Sequence, residues 1–316
     1  MSVSFLVATT CAGVEHLNTF YRLDMPKPDT QSAAKEQSTI GRAWLRRGMF
    51  RMSLDNMTLT DLVNVSVVLP TMNEAENVGT LCDGLYGLKQ SYSQLAEAIF
   101  VLNNTTDGTD KVLEDISKRP GHEFLRITYS RGSRGSAIRK GVEMARGNVV
   151  VVMDSDGQYD PAEIPRLVRP IVDEGYCIAI ARNHGWANLR RRIISETFKK
   201  LTRTLLGVEY VQTGFKAGTK EALLDTIPKD VPGLDIDVRW MNNVLRKGYG
   251  RRLSNDVEVR LHPRLHGRTT FNPLKLSLGL LYTTISLTMQ RKTGRELPFP
   301  RVLKELTLQP EGMHSR

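Results

Sequence analysis

The stretch Asn148-Val-Val-Val-Val-Met-Asp-Ser-Asp-Gly-Gln-Tyr-Asp-Pro161 decides the fold: an apolar run leads directly into two aspartates one residue apart. An uninterrupted run such as Val149–Met153 suits a strand covered on both faces of a parallel sheet. Asp154 and Asp156 then emerge at its carboxyl end, where open α/β sheets hold their ligands. Residues i and i+2 of an extended segment point the same way, so both carboxylates can meet one target. Two like charges brought that close need a cation or a basic group between them. Hard oxygen ligands call for Mg2+ or Mn2+, usually shared with substrate phosphates. The rival reading is a surface turn with capping aspartates, and Asp160 before Pro161 has the form of a helix N-cap. The valines ahead of the pair favour the strand-end site.

Working outward, the chain alternates strand and helix. Val65–Leu69, Ile99–Leu102, Phe124–Tyr129 and Tyr176–Ala181 read as further strands. Helices are expected with apolar faces at Val78, Leu81, Cys82, Leu85 and Leu88, over Val112–Ile116, from Gly132–Gly135 to Ala145, and over Pro161–Glu174. The turn-rich Asn103–Gly108 links the second strand to its helix. Such alternation predicts an α/β fold, a mostly parallel sheet flanked by helices. No internal repeat is apparent.

The 316 residues carry a net charge of +10, concentrated in two places: Arg182–Arg203 holds net +6 and Arg246–Arg268 net +5. A local excess of this kind suits phosphate or an anionic membrane surface. It lacks the stacking aromatics and reader motifs of nucleic-acid binding, so no nucleic-acid partner is expected. Three scattered cysteines form no metal or disulfide pattern and favour a reducing, cytoplasmic setting. No convincing signal peptide is visible, and no run reaches the roughly 18–20 apolar residues of a spanning helix. Leu276–Met289 comes nearest, either a packed helix or an interfacial one. Residues 1–60 read as a largely disordered extension, 61–272 as the main α/β domain, and 273–316 as an apolar helix with a polar tail.

Six segments in order then carry a resemblance: Val67–Asn77, Asp107–Thr109, Gly135–Gly141, Asp154–Pro161, Thr213–Ala217 and Arg264–Thr269. Together they resemble family 2 glycosyltransferases of the GT-A (Rossmann-like) fold. Within that family they are most similar to polyprenyl-phosphate (dolichol-phosphate) mannosyl- or glucosyltransferases. The resemblance implies a metal-dependent inverting transfer of a hexose from a nucleoside-diphosphate sugar, of GDP-mannose or UDP-glucose type, to a polyprenyl phosphate. It implies that Asp154, Asp156 and Gln158 bind Mg2+ or Mn2+, which assists loss of the nucleoside diphosphate. Pro70, Thr71, Glu74 and Asn104 are then expected at the donor's base and ribose. Arg182 is expected directly after a strand, at the donor, and Arg192, Arg264 and Arg268 at acceptor or diphosphate oxygens. If a general base is used, Asp235 and Asp237 are the candidates, on one face by period two, or as caps of the following helix.

Two departures stand out. Many relatives carry two aspartates where this chain has Asn103 and Asn104, which leaves the nucleobase open. Tyr210 stands where an aspartate usually precedes the Thr-Gly-Phe-Lys segment, and Gln212 leans toward glucosyl-transferring relatives. Leu189–Leu206 reads as a basic amphipathic helix suited to a membrane interface, supporting a peripheral protein on a cytoplasmic membrane face. Alternatives are a soluble family 2 transferase, a nucleotidyltransferase, or an inactive relative.

Overall fold

The computed structural model describes residues 63–185, 189–207, 213–229, 235–264, 266–267 and 273–294, with backbone alone for 185, 189–195 and 273–277. The expectations for residues 1–60, Tyr210, Gln212, Arg268 and the Arg192 side chain lie outside the described residues.

Seven strands form one sheet: β1 Val65–Thr71, β2 Leu95–Asn103, β3 Leu125–Ser130, β4 Val149–Met153, β5 Ile178–Gly185, β6 Phe215–Thr219 and β7 Leu253–Leu261. Their spatial order is β3-β2-β1-β4-β6-β5-β7. β1 pairs in parallel with β2 and with β4, while β6 runs antiparallel between β4 and β5. The chain winds outward from β1 through β2 to β3, then returns to lay β4 on the other side of β1. That reversal is a topological switch point, and the carboxyl ends of β1 and β4 flank the crevice it opens.

Eight α-helices are described: α1 Val78–Ser91, α2 Thr109–Ser117, α3 Arg134–Met144, α4 Ile164–Asp173, α5 Leu189–Leu206, α6 Lys220–Thr226, α7 Ile236–Arg246 and α8 Pro273–Thr293. Every residue of β4 and β6 is buried, so both faces of the central sheet are covered, as the valine run requires. Val65, Val67, Leu69, Val151 and Met153 join one core with α1, α2 and α4. On the opposite face α3 lies close: a Cβ on Gly141 would come within 2.3 Å of Val68 Cγ1.

At the amino ends of the strands, the buried Glu97 carboxylate ties three segments together. It accepts from Ser66 Oγ at 2.7 Å and the Arg146 amide at 2.6 Å, and pairs with Arg126 at 2.5 Å. Burial raises its pKa, but these hydrogen bonds outweigh that and hold it below the usual carboxylate range.

Two strands differ from expectation. β6 and β7 carry no strand signal of their own, because Phe215–Thr219 is short and interrupted by Lys216 and Gly218, and Leu253–Leu261 is half polar. Asp160 does cap the 3-10 turn Pro161–Glu163, accepting from the Ala162 amide at 2.9 Å.

Candidate active site

The β4 chain leaves the sheet at Asp154, whose amide donates to the Gly214 carbonyl at 3.1 Å. A Cβ on Gly214 would stand 1.8 Å from Asp154 Oδ2, so glycine is what lets this carboxylate lie against the start of β6. Tyr159 fixes that glycine: its hydroxyl accepts from the Gly214 amide at 3.1 Å and from Asn183 Nδ2 at 2.8 Å. Burial pushes the Tyr159 hydroxyl up to about 12, with Asp154 adding to the effect, so it stays protonated. Asp156 is buried, accepting the Gln158 amide on Oδ1 at 3.1 Å and Arg264 Nη2 on Oδ2 at 2.8 Å. Burial first, then the nearby Asp154 charge, raises the Asp156 pKa, and Arg264 works against that.

The two carboxylates end two chains of alternating charge. One runs outward from the interior: Lys216 Nζ to Asp237 Oδ1 at 2.6 Å, Arg134 Nη1 to Asp237 Oδ2 at 3.3 Å, and Arg134 Nη2 to Asp154 Oδ1 at 2.6 Å. The other runs from Asp156 to Arg264 at 2.8 Å and on to Glu74 at 3.6 Å. Three cations face four carboxylates, leaving one negative charge and two like-charged neighbours where the chains meet. A divalent cation between Asp154 and Asp156 would complete the alternation and reverse the sign of the cluster.

Glu74 begins the other wall of the crevice. It is buried, it accepts from Asn77 Nδ2 at 2.6 Å, and burial raises its pKa despite Asn77 and Arg264. Asn77 stands at the α1 N-cap without capping the helix, because its amide instead bonds Glu74 and the His266 backbone at 3.3 and 3.1 Å. The segment leaving β7 thus crosses the crevice: His262 meets Gln158, Arg264 meets Asp156, and His266 meets Asn77. Asp107 joins the β1 and β2 loops by accepting from the Ala75 and Thr109 amides, each at 3.0 Å. Burial raises its pKa, but the Thr109 hydroxyl, which also donates to it, and these two amides outweigh that and lower it. Asn103 donates to the Gly132 carbonyl at 3.0 Å, but its buried Oδ1 and the Thr105 Oγ1 nearby have no partner. Orphaned buried oxygens beside a crevice are candidates for ligand contact.

Several expected residues fall elsewhere or do different work. Arg182 lies within β5, not after it, and pairs loosely with Glu258 at 4.0 Å. Asp235 and Asp237 do not share a face, because the segment is helical from Ile236 and not extended. Asp235 turns to Arg239 at 2.6 Å and to Thr283 of α8 at 2.9 Å, and its side chain makes no capping bond; Asp237 faces the crevice. Gln158 Nε2 donates to the His262 carbonyl at 3.0 Å, which leaves its amide oxygen as the only donor atom for an ion. Pro70 receives the Ser155 hydroxyl on its carbonyl at 3.1 Å, Thr71 is buried against its own strand, and Asn104 adopts a left-handed backbone with φ 52°. Arg134, Lys216 and Tyr159 were missed, since single basic or aromatic residues carry no spacing signal.

Among the described residues no group of three or more His, Cys, Asp or Glu is placed to hold an ion. Two carboxylates and one amide oxygen are instead a partial donor set, which suits a hard cation that takes its other ligands from phosphate and water. The residues present fit such an ion.

Residues 66–227 match glycosyl transferase family 2. An undecaprenyl-phosphate 4-deoxy-4-formamido-L-arabinose transferase of Aeromonas hydrophila is 28% identical over 73% of this chain and 69% of its own. The dolichol-phosphate mannosyltransferase of Saccharomyces cerevisiae is 28% identical over 54% of this chain and 66% of its own. Among solved structures, glucosyl-3-phosphoglycerate synthase from Mycobacterium tuberculosis, in complex with Mn2+, UDP-glucose and phosphoglyceric acid, superposes with TM-score 0.58. It is 20% identical over 75% of this chain and 84% of that one, a likeness that establishes the GT-A fold. With half the chain matched and the switch-point crevice where the motifs converge, the protein is a glycosyltransferase belonging to family 2.

Proposed function

We propose that this enzyme transfers a hexose from a nucleoside-diphosphate sugar to a polyprenyl phosphate, with inversion and with a divalent cation. The observation that carries the reading is the break in charge alternation between Asp154 and Asp156, flanked by Arg134 and Arg264. Asp154, Asp156 and the Gln158 amide oxygen would hold Mg2+ or Mn2+, which supplies positive charge to a departing diphosphate. Arg264 and Arg134 stand beside that point and can shift their forks from carboxylate to phosphate oxygens. Glu74, Asn103 and Thr105 offer hydrogen-bonding atoms at the β1 and β2 ends, where the base and ribose would lie. Pro70 and Thr71 shape that end. The acceptor phosphate is already ionised, so its attack needs no base, and positioning with charge neutralisation would provide most of the acceleration.

The lipid acceptor draws support from the names of two relatives and from α8. That helix buries Leu280 and Leu287 with Thr283, Thr284 and Ser286, while exposing Leu278, Leu281, Ile285 and Met289 by 54%, 38%, 43% and 40%. An apolar outer face ending in Arg291 and Lys292 fits a lipid surface with anionic headgroups. Among the described residues no helix is long and apolar enough to cross a membrane. The test is a panel of GDP-mannose, UDP-glucose and UDP-N-acetylglucosamine with Mg2+ or Mn2+, each with and without a polyprenyl phosphate. Lipid-dependent release of one nucleoside diphosphate supports the reading. Release that ignores the lipid but follows a soluble acceptor overturns the acceptor assignment.

A further inference from the structure

We propose that Lys216 and Asp237 are positioning residues for Arg134, dividing its guanidinium between Asp154 and Asp237 so that one Asp154 oxygen is left for the cation, and that Asp237 is not a base. The inference rests on the glycosyl-transfer reading above, which supplies the diphosphate. Lys216 sits mid-strand in β6 at 1% exposure. Its ammonium donates to Asp237 and the Thr213 carbonyl and lies 5.4 Å from the centre of the Trp240 ring. An ammonium is held in such a place only with its partner, so removing either charge alone leaves the other uncompensated. Burial lowers the Lys216 pKa, while Asp237 opposes the shift.

Asp237 stands in the first turn of α7 with both oxygens engaged, Oδ1 by Lys216 and Oδ2 by Arg134. A general base must offer an oxygen to the proton it removes. Here neither oxygen faces the crevice without a cation on it. Arg134 in turn contacts its two carboxylates with different nitrogens, Nη2 to Asp154 at 2.6 Å and Nη1 to Asp237 at 3.3 Å. An Arg–carboxylate pair frequently takes a two-pronged geometry. A two-pronged pair would cover both oxygens of Asp154 and compete with a cation there. By drawing Nη1 aside, Asp237 keeps Arg134 on Asp154 Oδ1 alone and leaves Oδ2, which lies over Gly214, for the ion. Lys216 holds Asp237 in the orientation that does this.

The test combines calorimetric titration of UDP and GDP in the presence of Mn2+ with the pH profile of kcat. The expected result for Asp237→Asn is roughly tenfold weaker Mn2+-diphosphate binding, the usual size for a residue acting through a ligand-binding neighbour. The shape of the kcat profile should match that of the parent protein. Arg134→Ala combined with Asp237→Asn should lose little more than Arg134→Ala alone, since one acts through the other. The double variant Lys216→Met with Asp237→Leu removes both buried charges together; it should fold and bind as weakly as Asp237→Asn. Unchanged binding in Asp237→Asn with a lost limb of the pH profile makes Asp237 a base and overturns the proposal, as do additive losses with Arg134→Ala. If the parent protein binds neither diphosphate with Mn2+, the glycosyl-transfer reading falls and takes the proposal with it.

Discussion

Asp154 rests where a side chain on residue 214 would be, so this placement of the carboxylate requires glycine there. Gly214→Ala should push the carboxylate off its position and cut turnover by on the order of 10²-fold, as loss of one placed electrostatic group does. The clash is with a carboxylate and not with backbone, so circular dichroism and thermal melting should show a fold close to the parent's. A turnover near that of the parent would mean Asp154 need not lie there. Residues of this kind differ in how far the chain announces them. Asp154, Asp156, Glu74 and Arg264 stood in recognisable segments, and the structure brings all four into one crevice. Arg134 did not, because its partners are 20 and 103 residues away and one of several basic residues in a Gly-Ser stretch reads as a solvated charge. Lys216 falls inside the Thr213–Ala217 segment, but a lysine normally marks a surface, so its burial is not legible from the sequence.

Among the elements, strands with an unbroken apolar run and helices with a clear apolar face were legible, since one period decides each. β6 and β7 were not, because tertiary neighbours and not local pattern make them strands. The buried Glu97 joins β1, β2, β3 and the turn before β4, and its value is structural. Its pKa is lowered in the fold, so it contributes stability that is present above its unfolded pKa and lost as pH falls through the folded one. Glu97→Ala leaves Arg126 and a backbone amide without their partner and should cost about 3 kcal/mol, measured by urea unfolding near neutral pH. The difference between parent and variant should shrink as the pH is taken down from about 4.5, the ordinary carboxylate value. A variant equally stable at neutral pH would show that the three bonds to Glu97 contribute nothing net.

For the whole molecule, the sheet brings donor groups to one crevice while α8 turns an apolar stripe outward. Leu281→Asp with Ile285→Asp should reduce co-flotation with phosphatidylglycerol-containing vesicles by at least about tenfold, since each side chain contributes on the order of 1 kcal/mol or more when covered. Binding of nucleoside diphosphate in solution should be unchanged, because neither residue lies in the crevice. Equal flotation of the variant would assign the membrane contact to another surface. Charge concentration is visible in the sequence, but which side of α8 faces outward depends on what packs against it: Leu280 and Leu287 are buried with Thr283, Thr284 and Ser286, while Leu278, Leu281, Ile285 and Met289 are exposed.

In the reading proposed above, Asp154 and Asp156 hold a divalent cation that is shared with the donor's diphosphate. The most direct test is Mn2+ binding followed by electron paramagnetic resonance, with and without nucleoside diphosphate, in the parent protein and in Asp156→Asn. Diphosphate should strengthen Mn2+ binding to the parent, and Asp156→Asn should keep its fold while losing on the order of 10²-fold or more of that affinity. Asp156→Asn binding Mn2+ and diphosphate as tightly as the parent would contradict this reading.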